Sequence, residues 1–157
     1  MGSSPFSKSS CPTYDKEVWQ LQSAGYIDST DNLVAAYDAA TAHLGAPWRM
    51  PTDADFADLV SMCDTTWETC NGVWGLRVKG KGAYASKSVF LPAAGDGSDS
   101  YDGYDILGQL GSRGHYWSST QLWFLDFSYS DDISNQSYND TYSELGFPVR
   151  PVRDSAQ

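Results

Sequence analysis

Basic residues and long apolar runs are both scarce in this sequence. Ten Lys and Arg stand against 20 Asp and Glu, so the formal net charge is -10 at pH 7. Nucleic acids and anionic membranes attract proteins through basic surfaces, and this balance therefore argues against both as main partners. No apolar run approaches the roughly 18 residues of a membrane-spanning helix, so we expect no membrane insertion.

Cysteine is scarce as well, with only Cys11, Cys63 and Cys70 in the chain. An odd number of cysteines does not make a disulfide framework. Cys63 and Cys70 could close one small loop, Cys11 could pair with either, or all three could be thiols. The chain has no CxxC motif and no Cys/His cluster, so we expect no structural zinc site.

The chain length predicts one domain. Residues 1–10 lack the apolar segment of a signal peptide, and we expect residues 1–12 to be a disordered or vector-derived N-terminus. Residues 13–157 then form a single domain, since 157 residues with 41 % hydrophobic content supply one core. An aromatic content of 14 % and 14 glycines favour a loop-rich α+β or β fold over a helical bundle.

Helical spacing of apolar residues occurs in two segments. Residues 30–45 place apolar side chains on one face, with Thr30 or Asp31 as the N-cap and a glycine at the end. Residues 52–63 repeat the pattern, with Thr52 as the N-cap.

Beyond residue 64 the apolar period changes to two, which predicts strands. The predicted strands cover residues 73–79, 88–91, 116–119, 123–130 and 147–153. Residues 95–105 are predicted to form a polar Gly/Asp loop.

Residues 128–143, SYSDDISNQSYNDTYS, do not have the composition of a core. Thirteen of the sixteen are Ser, Tyr, Asp or Asn, and no Lys or Arg occurs between Gly114 and Val149. Tyr supplies rigid contact area, and Ser and Asn supply adaptable hydrogen bonds, as in antibody paratopes. The alternative is an ordinary solvated loop, although exposed tyrosines are then hard to account for.

Catalytic and metal-binding motifs are absent from the sequence. His43 and His115 have no nucleophile nearby in sequence, and no GxSxG, HExxH, P-loop or GxGxxG occurs. Asp residues recur every third position within residues 96–105, which could suit calcium, but EF-hand spacing and a closing Glu are missing. We therefore expect no enzyme activity, no cofactor and no metal, with calcium at 96–105 as the alternative.

A set of linked motifs resembles a known family. The motifs are WRMPT at 48–52, FLPAAG at 90–95, YWSST at 116–120 and VRPVR at 149–153. Their order and spacing resemble the Fibrobacter succinogenes major paralogous domain, related to formylglycine-generating-enzyme-like modules. The resemblance covers about residues 38–154 and implies a C-type lectin-like α+β fold, with two helices packed on a small twisted antiparallel sheet and long loops.

The resemblance also implies which side chains form the core and which the scaffold of the varied segment. The expected core residues are Trp48, Phe56, Leu59, Trp74, Phe90, Trp117, Leu125, Phe127 and Val149. Scaffold positions of the family match Leu125, Phe127, Ile133 and Gly146.

The resemblance implies a function in ligand binding. Members of this family serve as variable proteins of diversity-generating retroelements, in which an error-prone reverse transcriptase rewrites adenines in a C-terminal repeat. The variable region would be about residues 116–153, with the binding face at 121–145. The expected ligand-binding residues are Trp123, Phe124, Asp126, Ser128, Ser130, Asp132, Ser134, Asn135, Tyr138, Asn139, Asp140, Tyr142 and Leu145.

The expected partner is a protein or cell-surface ligand, bound by a monomer at the cell surface or on a virion. The acidic charge predicts a preference for neutral or basic surfaces. Formylglycine generation needs a cysteine pair near the C-terminal end, whereas the last cysteine here is Cys70, so the resemblance implies no such activity. The alternatives are a calcium-dependent carbohydrate-binding lectin-like module and an inert structural surface module.

Overall fold

The computed structural model describes residues 16–99, 105–130, 133–137 and 146–154. The predicted N-terminal segment 1–12 lies outside this part of the chain. Within it, the α-helices are α1 Val18–Ser23, α2 Ala39–Leu44 and α3 Asp53–Met62, and a 3-10 turn covers Gly82–Tyr84. Among these described helices, none has the length and apolar character needed to cross a membrane.

Ten short strands complete the described part of the chain. They are β1 Trp48–Arg49, β2 Cys63–Cys70, β3 Val73–Gly80, β4 Ser88–Pro92, β5 Asp96–Asp99, β6 Asp105–Gly108, β7 Arg113–Trp117, β8 Trp123–Ser128, β9 Ile133–Ser137 and β10 Val152–Arg153. They pair as β1-β10, β2-β3-β4, β5-β6 and β7-β8-β9, and every pairing is antiparallel. The α+β class is confirmed, and the described residues form three α-helices and four small antiparallel sheets where the sequence predicted two helices on one small sheet.

The predicted helix 30–45 is much shorter in the structure and begins at Ala39. Asp38, not Thr30 or Asp31, is the N-cap, because its carboxylate accepts the Thr41 N–H at 2.8 Å. Upstream, the Asp28 carboxylate accepts the backbone N–H groups of residues 30 and 32, which closes a turn where the sequence suggested a helix.

The predicted helix 52–63 is confirmed as α3. The Thr52 hydroxyl accepts the Asp55 N–H at 3.2 Å, and the Asp55 carboxylate accepts the Thr52 N–H at 2.8 Å. This reciprocal capping box stabilises the first turn. Arg49 donates to the same carboxylate at 2.6 Å and ties β1 to the start of α3.

Strand β2 was not predicted from the sequence. Its geometry bears on whether Cys63 and Cys70 can form a disulfide. The two thiols lie at opposite ends of this eight-residue strand, which is about 23 Å long at ~3.3 Å per residue. Both cysteines are free in the structure. The proposed small loop between them is therefore wrong, since a disulfide needs Cα atoms within about 7 Å.

Other strand predictions agree in part. Strands β3 and β4 confirm the predictions at 73–79 and 88–91. Part of the predicted 95–105 loop is instead the β5-β6 pair. The predicted strand 147–153 is reduced to Val152–Arg153, which pairs with Trp48–Arg49.

The core joins α3 to the two three-stranded sheets. Its buried members are Phe56, Leu76, Val78, Leu91, Tyr116, Leu125 and Phe127, with Ile133 packed against them. Five predicted core residues are not members of it: Phe90, Trp117 and Val149 are partly buried, while Trp48 is 37 % and Trp74 is 48 % exposed. Trp48 lies in a two-residue strand, and Trp74 is the second residue of β3, close to the β2-β3 turn. Both rings are therefore at the ends of elements and are not covered by the core.

Candidate ligand-binding face

Strand β8 separates two environments. Leu125 and Phe127 are 0 % and 1 % exposed and face the core. Phe124 and Asp126 alternate with them and face the opposite side of the β7-β8-β9 sheet, which we call the outer face. The side chains on the inner side thus pack in the core, and we consider the outer face as the candidate site.

An ion pair occupies the centre of the outer face. Arg113 donates to both carboxylate oxygens of Asp126, at 2.8 and 2.6 Å, and His115 Nε2 lies 3.3 Å from the same carboxylate. Burial raises the pKa of Asp126, but hydrogen bonds from His115 and Arg113 outweigh it and lower the pKa to about 2. The carboxylate that the sequence predicts as a ligand-binding group is thus held by Arg113 and His115 within the chain itself.

Phe124 also belongs to the scaffold rather than to an exposed site. It is 3 % exposed, because the ring of Phe147 lies 5.2 Å from it. Phe147 also stacks on His115 at 4.8 Å and meets Trp117 at 4.5 Å. The chain that returns at Gly146 therefore covers this end of the outer face, and Phe124, predicted as a ligand-binding residue, lies buried beneath it.

Accessible polar side chains remain at the other positions of the outer face. The Ser128 and Ser130 hydroxyls lie 2.8 Å apart, and Gln136 Nε2 donates to Ser134 Oγ at 2.8 Å. Ser134 lies directly opposite Asp126, and Gln136 lies opposite Phe124. We call Ser128, Ser130, Ser134 and Gln136 the outer polar strip, and it can both donate and accept hydrogen bonds.

Trp123 and Asn135 lie on the inner side of the same strands. Asn135 faces α3 and donates from Nδ2 to the Asp53 carbonyl at 3.0 Å. Its Oδ1 is buried with no hydrogen-bond partner in the described part of the chain. Trp123 is half-buried on the side of Leu125. The structure therefore places Asn135, predicted as a ligand-binding residue, on the inner side, where its amide anchors β9 to the helix.

Six predicted ligand-binding residues lie outside the described residues. They are Asp132, Tyr138, Asn139, Asp140, Tyr142 and Leu145. On the described part of the outer face, the predicted residues brought together are Ser128, Ser130 and Ser134.

Sequence reasoning missed Arg113, His115, Gln136 and Phe147 as members of the outer face. Gln136 lies within the polar tract but is not among the predicted ligand-binding residues. The other three are far from the polar tract in sequence or look like ordinary strand residues. The strand register places His115 opposite Asp126, and the chain that returns at Gly146 brings Phe147 onto the same face.

The two histidines of the chain lie on different elements, His43 in α2 and His115 in β7. His115 is 4 % exposed between Phe124 and Phe147, and its Nδ1 has no partner among the described residues. His43 is in the last turn of α2. No group of three His, Cys, Asp or Glu that could hold a metal occurs in the ranges that the structure describes.

Comparison with known proteins gives no relative. No protein-family model, no curated protein and no solved structure matches this chain.

Proposed function

We propose that this chain is a non-enzymatic, ligand-binding variable protein of a diversity-generating retroelement, with a C-type lectin-like fold. Its binding face would lie in residues 121–145, and its partner would be a protein or cell-surface molecule. The linked motifs of the sequence carry the resemblance from which this proposal starts.

The observation that supports the proposal most directly is that the two sides of β8 and β9 have different environments. Leu125, Phe127 and Asn135 hold the strands on the core and on α3, while Ser128 and Ser134 reach the opposite side. Side chains on that side can change without opening the core, because surface replacements usually alter the free energy of unfolding by less than about 0.5 kcal/mol. A frame of this kind suits a diversified site.

Fixed ends of the polar tract give further support. On the N-terminal side β8 is buried from Phe124 to Phe127. On the C-terminal side, Gly146 and Gly97 exchange two backbone hydrogen bonds of 2.8 Å, and the buried Phe147 follows. Sequence variation between these anchors would leave both of them in place.

The genomic test examines DNA on either side of the coding sequence. We expect a near-copy of the codons for residues 116–153, mismatched at adenines, beside a reverse transcriptase gene. Related loci should differ mainly at adenine-derived codons within 121–145. Differences spread evenly over α3 and the core would contradict the retroelement proposal.

The protein-level test asks whether the outer polar strip works as a binding surface. A yeast-displayed library randomised at Ser128, Ser134 and Gln136 is selected on hen lysozyme as an arbitrary protein probe. A matched library at the exposed α3 positions Ala57, Asp58 and Ser61 is the control. We expect binders to be at least about tenfold more frequent in the strip library, and equal frequencies would argue against a specialised face.

A further inference from the structure

A half-exposed indole lies outside the core on the β2-β3 hairpin. The Trp74 side chain is 48 % exposed, and its ring stacks on Trp67 with 6.1 Å between centroids and 12° between planes. Trp67 in turn meets the buried Phe127 edge-on at 6.5 Å. The exposed ring is therefore held in one orientation through a chain of aromatic contacts that reaches the core.

Hydroxyl groups flank this aromatic stack. Thr69 is the cross-strand partner of Trp74 and is exposed. Because side chains alternate along a strand, Thr65, Trp67 and Thr69 lie on the same side of β2. The half-exposed Trp74 side chain thus has an exposed hydroxyl at the neighbouring cross-strand position.

The hairpin that carries the platform is tightly closed. Asn71 and Gly72 connect β2 to β3 with φ values of 51° and 79°, the pattern of a two-residue turn in which both residues are left-handed. All eight β2 residues are paired with β3. The geometry between Thr69 and Trp74 is therefore preorganised, which limits the entropy lost when a ligand binds.

We propose that the Trp67–Trp74 stack, together with Thr69, is a binding platform for a neutral saccharide. A pyranose ring has a flat C–H face that packs on an indole and hydroxyls at its rim that need partners, and this platform offers both. The net charge of -10 disfavours an anionic polysaccharide and an anionic lipid surface. The site is on the β2-β3 hairpin, so it depends neither on the outer polar strip nor on a metal.

Binding of cellohexaose, maltohexaose and mannohexaose to the full chain, measured by titration calorimetry and tryptophan fluorescence, tests the platform. We expect at least one of these probes to bind. Trp74→Ala and Trp74→Leu should weaken its binding by about tenfold or more. Trp74→Phe, which keeps a ring over Trp67, should retain most of the affinity, and Thr69→Val should weaken it about threefold.

Trp19→Ala is the matched control, since Trp19 is 65 % exposed on α1, away from this hairpin in the chain. It should bind the saccharide as the unchanged protein does. Failure of all three probes to bind, equal loss in the Trp19 variant, or full binding by Trp74→Leu would overturn the proposal. Trp74-dependent sedimentation with phosphatidylcholine vesicles, without saccharide binding, would overturn it in favour of a lipid surface.

Discussion

Arg113 and Asp126 are joined across β7 and β8 by two charge-assisted hydrogen bonds, of 2.8 and 2.6 Å. The Asp126 side chain is only 12 % exposed, whereas that of Arg113 is 43 % exposed. The carboxylate of the pair is thus largely buried, whereas the guanidinium side chain is partly exposed to solvent. This arrangement holds the two strands together from the outer face, opposite the core contacts of Leu125 and Phe127.

Replacement of Asp126 by Asn should destabilise the fold. The substitution removes the charge of a largely buried carboxylate, and hydrogen bonds to charged groups contribute about 1.5–3 kcal/mol each. We expect the free energy of unfolding, measured by urea denaturation at pH 7, to decrease by an amount within that range. Glu68→Gln is the matched control, because the Glu68 side chain is more exposed than that of Asp126 and its pair with Arg77 should contribute about 1 kcal/mol or less. Equal losses in the two variants would show that burial of Asp126 does not matter.

The same pair predicts a pH dependence below neutrality. The pKa of Asp126 in the folded protein is about 2, below the ordinary aspartate value of 3.8. A depressed folded pKa means that the carboxylate stabilises the fold fully above pH ~4 and that this contribution is lost as the pH falls through 2. The stability difference between the unchanged protein and Asp126→Asn should therefore shrink by about 1–2 kcal/mol between pH 5 and pH 2. Urea titrations at several pH values measure it, and a constant difference would contradict the assignment.

Asp38 should be more important for stability than its place before a six-residue helix suggests. Its Oδ1 accepts the Thr41 N–H and its Oδ2 accepts the Met50 N–H, each at 2.8 Å, and the side chain is 4 % exposed. Asp38→Ala should cost about 2–4 kcal/mol, because a cap is lost and a buried N–H loses its partner. Thr30→Ala, at the N-cap predicted from sequence, should cost less than about 1 kcal/mol. Thermal and urea unfolding of both variants decide between the two caps.

The caps illustrate what local sequence can and cannot predict here. Both residues of the Thr52–Asp55 capping box lie within four consecutive positions, so the start of α3 could be predicted from sequence alone. The role of Asp38 depends on Met50, twelve residues away, while the Asp28 turn competes with helix formation upstream. Local helical spacing was a poor guide where such competing hydrogen bonds existed.

The candidate face shows the same limit. Alternation along β8 correctly separated Leu125 and Phe127 from Phe124 and Asp126, but it suggested that the second pair is exposed. Phe147 overturns that expectation, because it reaches the outer face from another part of the chain. Composition could identify a polar tract, but only the register and the path of the returning chain distinguish its scaffold residues from its accessible ones.

Gly114 should not tolerate even a methyl group. It lies opposite Phe127 in the β7-β8 register, and a Cβ at this position would overlap the Phe127 ring. Gly114→Ala should therefore destabilise the protein by about 1–3 kcal/mol through overpacking. Gly97→Ala is the control, since its Cβ would meet its nearest atom at 3.4 Å, an ordinary contact. Urea unfolding should place the control within about 0.5 kcal/mol of the unchanged protein.

Adjacent residues of β9 should respond in opposite ways to the same substitution. Ser134 faces outward opposite Asp126, whereas Asn135 faces α3 and donates to the Asp53 carbonyl. Ser134→Tyr should change the free energy of unfolding by less than about 0.5 kcal/mol. Asn135→Tyr should cost about 2 kcal/mol or more, because the larger ring must displace the helix and the Asp53 carbonyl loses its donor.

Urea denaturation of the two variants measures this contrast. Two equally tolerated tyrosines would mean that β9 is not held on α3, and two equally damaging ones would mean that the outer polar strip cannot vary freely. Either result would remove the physical basis for a diversified face on this sheet. A large difference between neighbours only one residue apart is what a replaceable surface on a fixed frame requires, since alternation along a strand separates the two environments.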